Sequence, residues 1–147
     1  MSTNSLLTLA VDKYDLRGVE LGVFGSVRRG GRIAPVWNIP LVVYQGMLAH
    51  RMLIVLLPGE LGLFSPKVLR GKGTAGGLES LERGSHTKLA CQLPLSELKV
   101  VRAVRVSGTG AGGQGSVVAL SHSSGKEFTI SSFSQALAHR IRSAISG

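Results

Sequence analysis

The one clear helical period in this chain comes last. Phe133, Ala136, Leu137, Ile141, Ala144 and Ile145 recur at steps of three and four, which lines one side of a helix with apolar groups that must be buried against something. Ser131 or Ser132 stands where a side-chain oxygen can cap the first turn. His139, Arg140 and Arg142 fall in the last two turns, where positive charge suits the negative end of the helix dipole. Upstream of this helix the pattern is period two, or an unbroken apolar run. Strands do not alternate with helices, so a parallel α/β architecture is not expected and a mainly β (α+β) domain of six or seven strands is.

The strands follow from that pattern. Ser116–Ser131 reads as a hairpin turning at Ser123-Ser124-Gly125. Its first arm (Val117, Ala119 against Val118, Leu120) favours neither face and is expected to be covered on both, whereas Phe128 and Ile130 alternate with Glu127 and Thr129. Met52–Leu57 is continuously apolar, Pro58-Gly59 fits the centre of a type II turn, and Leu61 and Leu63 alternate with Gly62 and Phe64. Leu89–Leu93 is a further strand. After a turn at Pro94–Leu98, Val100, Val104 and Val106 share a face that Arg102 interrupts, and Lys99, Val101, Ala103 and Arg105 make the other. Val19–Val27 precedes a basic turn, Arg28-Arg29-Gly30-Gly31-Arg32. Within residues 1–18, Leu7, Leu9 and Val11 alternate and predict an arm or edge strand. Two prolines and Trp37 make Ile33–Pro40 extended or irregular, and Leu41–Ala49 reads equally as strand or helical turn. Residues 66–88 and 107–115 are glycine-rich loops, the first with a helical turn at Leu78–Arg83.

A chain of 147 residues fits one domain with a real core. Since 44% of it is hydrophobic and only 5% aromatic, that core is aliphatic. The greasy stretch Ile39–Leu57 approaches spanning length, but Gln45, His50 and Arg51 interrupt it and Pro58-Gly59 ends it, so it is read as two buried segments. Met1–Leu9 lacks the basic start of a secretory signal, and a cytosolic protein is expected. One cysteine, Cys91, excludes an internal disulfide. Alternating with Leu89 and Leu93, it is expected to be a buried, inert thiol.

Charge is unevenly placed. Residues 1–25 hold two basic and three acidic residues, so the net +9 of the chain arises wholly beyond Gly25. Such a field attracts polyanions: an acidic protein face, anionic lipid headgroups or nucleic acid. Three basic clusters are the candidate partner-binding residues: Arg28, Arg29 and Arg32; Lys67, Arg70 and Lys72; Arg102 and Arg105. Where they adjoin glycine, arginines and backbone N–H groups can converge on an anion. Two matches to G-x-G-x-x-G, at Gly71-Gly73-Gly76 and Gly108-Gly110-Gly113, lack the strand before and full helix after that pyrophosphate binding needs, and no cofactor is expected. His50, His86, His122 and His139 are scattered, none has a second ligand at metal spacing, and no serine stands in a G-x-S-x-G elbow. The sequence therefore offers no positive sign of an enzyme.

From Arg51 to Ile145 the order and spacing resemble the bacterial pleckstrin-homology-like (PH-like) domains: the hairpin Met52–Phe64, then Leu93-Pro94-Leu95-Ser96-Glu97-Leu98 entering a strand, then Val117–Leu120, Gly125, Phe128–Ile130 and the helix Phe133–Ile145. The resemblance implies a bent antiparallel sheet or partly open barrel of about seven strands, plugged by the C-terminal helix. It also implies a scaffold that binds anionic groups, peptides or protein partners, often as an oligomer. The long glycine-rich loop and the first fifty residues depart from that pattern. The function expected is a non-enzymatic binding or assembly module. A structural subunit of a phage or multiprotein particle, and a basic nucleic-acid binder, are the alternatives.

Overall fold

A computed structural model describes residues 3–30, 51–71, 75–106 and 115–146. The expectations for residues 33–49, for Arg32 and Lys72, and for the loop 107–114 lie outside the described residues. The protein is mainly β: seven antiparallel strands in one open sheet, ordered β4-β3-β2-β1-β7-β6-β5. They are β1 (Leu21–Arg29), β2 (Arg51–Leu57), β3 (Glu60–Phe64), β4 (Ala90–Pro94), β5 (Leu98–Val106), β6 (Gly115–His122) and β7 (Glu127–Ser132). Helices α1 (Thr3–Tyr14), α2 (Pro66–Leu69), α3 (Glu79–Glu82) and α4 (Ala136–Ser146) complete the described fold.

β1 belongs to both halves of the sheet. Leu21–Ser26 pairs with β2, and Gly25–Arg29 pairs with β7. At the overlap a Cβ on Gly25 would run into the carbonyl oxygen of Ser131 and lie 2.8 Å from Ile54 Cδ1, so only glycine lets the two halves approach there. The registers put Val23, Val27, Ile54, Leu56, Leu61, Leu63, Val118, Leu120, Phe128 and Ile130 on one face. This aliphatic core is closed by Leu137, Ala138 and Ile141 of α4. The hairpin between β2 and β3 turns at Pro58-Gly59, where Gly59 takes the positive φ (+78°) that a type II turn demands.

The opposite face of β2 and β3 has its own cover. Leu53, Val55, Leu57 and Phe64 pack under Leu6 and Ala10 of α1, and Tyr14 stacks on Phe64 with ring centroids 4.9 Å apart. This corrects the expectation of an arm or edge strand in residues 1–18. The alternation of Leu7, Leu9 and Val11 is embedded in a longer apolar run, in which Leu6, Ala10 and Tyr14 also recur every fourth residue, and burying that stripe decides for helix. The helix ends in a Schellman-type closure: Asp15 adopts a left-handed conformation (φ +52°), the Leu16 N–H donates to the Val11 carbonyl at 3.2 Å, and Leu16 is buried.

Three further readings change. Phe133 is not part of the closing stripe: it precedes α4 and is 47% exposed. Ser132 Oγ accepts the Ser134 N–H at 3.1 Å, ahead of the helix rather than in its first turn. The Ala138 N–H instead donates to Ser116 Oγ of β6 at 3.2 Å, while the Ser116 hydroxyl lies 2.7 Å from the Ser134 carbonyl it donates to. Third, the described part of the loop 66–88 is built rather than open. Val68, Leu69, Leu78 and Leu81 are buried, and Gly76 bridges to the start of β4, donating to the Lys88 carbonyl (2.7 Å) and accepting from the Ala90 N–H (2.9 Å). The helical turn expected at Leu78–Arg83 is α3.

Candidate functional site

The site begins with a misfit in β5. A regular nine-residue strand would turn Arg102 towards the core along with Leu98 and Val100. Instead the register steps from Val100↔Leu120 to Arg102↔Ala119, leaving Val101 unpaired in a β-bulge. The extra residue absorbs the conflict. Leu98, Val100 and Ala103 pack on the core, while Arg102 and Val104 go to the outer face with Lys99. Arg105 ends on the core side, opposite Ser116 at the rim. Lys99, Val101, Arg102 and Arg105 are exposed, Val101 by 55%.

β5 has no acidic residue, and neither has α4, which lies against β5 and β6. Arg140 and Arg142 are exposed on that helix. The β5–α4 pole thus carries five exposed cations: Lys99 and Arg102 on the outer face, Arg105 on the core side, and Arg140 and Arg142 on the helix that covers the core. From the sequence Arg140 and Arg142 read only as helix-end charges. What identifies them as part of this pole is the packing of α4 on β5, which no local pattern encodes.

The other expected residues are dispersed. Arg28 shares the outer face and one cross-sheet row with Thr129, Ala119 and Arg102. Arg29, one residue on, faces the opposite side, where Glu82 Oε2 lies 3.7 Å from its guanidinium. Lys67 and Arg70 are exposed on and just after α2, which packs on α1 and β2. Lys13 donates to the Val68 carbonyl there at 2.9 Å, compensating the C-terminal end of that short helix. The described members of the three clusters thus do not converge on one anion.

Two further arrangements bear on chemistry. His122, Ser124 and Glu97, which the sequence leaves unconnected, meet where the β6–β7 turn touches the start of β5. His122 Nε2 is 3.2 Å from Glu97 Oε2 and Nδ1 is 2.8 Å from Ser124 Oγ. The Glu97 carboxylate fixes the Nε2–H tautomer, and the Nδ1 lone pair is already taken by the backbone N–H of Ser124 at 3.1 Å. The Ser123 N–H also donates to the Glu97 carbonyl at 2.9 Å. The group clamps a turn, and its imidazole is committed. Nearby, on the turn that leads into Glu97, Leu95 and Ser96 join Leu57, Pro58, Gly59 and Ala144 in lining an open groove of about 510 Å³ with one charged group, Glu20, at its wall.

Cys91 is half-buried on the core side of β4, and burial, with the Glu79 charge adding to it, pushes its thiol up to about 12. It stays protonated and weakly nucleophilic at neutral pH. After Gly76 no phosphate-binding helix follows: α3 is one turn long, and its own Glu79 carboxylate accepts the Gly77 N–H at 3.1 Å. Hydrogen bonds from its own backbone N–H and from that of Gly77 hold the Glu79 carboxyl below its ordinary range. Among the described residues no three His, Cys, Asp or Glu side chains stand together to hold a metal, and no helix is long and apolar enough to cross a membrane.

Fold and site together define a mainly β protein whose edge strand β5 carries basic and no acidic residues. No family model matches the chain, and no curated protein matches it.

Proposed function

We propose that this protein is a non-enzymatic binding module of PH-like fold, working in the cytosol, whose β5–α4 pole engages an acidic face of a partner protein. The observation that carries this reading is the segregation of charge: five cations and no carboxylate on one strand and the helix beside it. The seven-stranded open sheet with its closing helix supports the resemblance at the level of architecture. A lipid headgroup is the weaker partner, because recognition of one phosphate needs several cations aimed at one point. Here Arg28 and Arg29 leave β1 on opposite faces, and Lys67 and Arg70 belong to another element. The β5 cations, spread along an edge strand and over both its faces, suit an extended acidic segment instead.

The reading is tested by fluorescence anisotropy with an acidic peptide, alongside phosphatidylserine vesicles and a single-stranded oligonucleotide. The triple reversal Lys99→Glu, Arg102→Glu, Arg105→Glu is compared with Lys67→Glu, Arg70→Glu, Arg83→Glu, which changes net charge equally elsewhere. Peptide affinity is expected to fall with salt and to be lost only in the first variant. Equal loss in both variants would reduce the effect to net charge, and binding to vesicles or oligonucleotide alone would overturn the choice of partner.

A further inference from the structure

We infer that β5 is a docking edge on which an acidic, extended segment of a partner protein adds as an eighth strand; this rests on the reading of the β5–α4 pole given above. An antiparallel sheet that does not close has two edges, each a row of backbone donors and acceptors that can pair with another strand. In this sheet the edges are β4 and β5. The β4 edge is partly used: Gly76 donates to the Lys88 carbonyl and accepts from the Ala90 N–H at its start. Among the described residues no strand pairs with the outer side of β5, and its exposed side chains are Lys99, Val101, Arg102 and Arg105.

Charged side chains and a bulge are also how proteins stop edges from pairing indiscriminately. That protection has a sign here. A second copy of this chain laid edge to edge along β5 would set Lys99, Arg102 and Arg105 against the same cations, and like charges across a strand pair are destabilising. The same edge presented to an acidic strand gains where the self-pair loses. Charge therefore selects a different, acidic chain as the occupant and rejects a second copy.

The bulge sets the register of what can dock. Regular pairing is interrupted at Val101, so the longest uninterrupted ladder runs from Arg102 to Val106. Within it Arg102 points to the outer face and Arg105, three residues on, to the other. Successive residues of a docked strand also alternate between faces. Acids opposite both arginines must then be three residues apart in the partner, Glu-x-x-Glu, with uncharged residues between them beside Ala103 and Val104. Arg140 and Arg142 on α4 extend the favourable field beyond the ladder.

Three fluorescent peptides separate this mode from attraction by charge alone: one with a central Glu-Val-Thr-Glu, one of the same sequence with alternate backbone nitrogens methylated, and one of the same composition with the two acids adjacent. The first is expected to bind and to slow hydrogen exchange at β5 amides. The methylated peptide keeps every charge but cannot complete the ladder, and should bind about tenfold or more weakly through the loss of backbone hydrogen bonds. The adjacent-acid peptide should be weaker by a factor of several. Equal affinity of all three would overturn strand addition while leaving the acidic-partner reading intact. Failure of all three to bind would overturn both, and a β5-mediated dimer in light scattering would overturn the selection against a second copy.

Discussion

Ser116 carries more than its size suggests. Fully buried in β6, it accepts from the Ala138 N–H and donates back to the Ser134 carbonyl, so one hydroxyl satisfies a donor and an acceptor at the start of α4. Ser116→Ala should lower stability by about 1–3 kcal/mol, the cost of leaving buried backbone groups unpaired, read as a shift in the urea midpoint at unchanged slope. Phe133→Ser should change stability far less, because that ring is already half in water. A neutral Ser116→Ala would mean that the helix is capped by other means. The serines beside the helix in sequence were the obvious candidates, yet the first-turn N–H of Ala138 goes to a serine 22 residues before it. A cap supplied across a sheet has no local sequence signature.

At the scale of elements, the bulge in β5 makes an unusual forecast. The pairings on either side of Val101 already skip it, so deleting Val101 leaves every inward and outward assignment unchanged. Deletion within a strand normally flips the residues beyond it to the wrong face. Here ΔVal101 should alter stability by no more than about 1 kcal/mol, whereas deleting Leu120 from the unbulged β6 should abolish cooperative thermal unfolding. A large loss in ΔVal101 would show that the bulge supports twist the sheet needs. The same element shows how far the sequence could be read. Alternation located β5, and the β2–β3 hairpin, β7 and the closing helix were legible because turn residues and apolar period agreed there. The charge excess was legible too, and with it the cluster of Arg102 and Arg105 on this strand. The bulge was visible only as Arg102 breaking its face, a conflict with two solutions that alternation alone cannot separate. For α1 the sequence held both periods at once, and only the uncovered face of β2 and β3 decided between them. Lys99, Arg140 and Arg142 joined the candidate site through packing, which is a tertiary fact.

For the molecule as a whole, the two half-sheets share β1, and their closest approach is at Gly25. Gly25→Val would force a side chain against the Ser131 carbonyl and Ile54, costing about 1–3 kcal/mol or more through overpacking. Amides of β3 and of β6 should then lose hydrogen-exchange protection together, because neither half can relieve the clash without moving the strand they share. Loss confined to one half would show two independent units. The shared strand also bears on how the chain is made. The partners of the C-terminal half of β1 lie about a hundred residues downstream, Arg29 facing Phe128 and Ser26 facing Ser131, so this pairing closes a very long loop and belongs to the slow, non-local class of folding contacts. During synthesis that half of β1 precedes β7 by about a hundred residues and waits for them before it can be covered. Between the synthesis of the two strands this half of β1 is an unsatisfied edge, and the arrival of β7 ends its exposure.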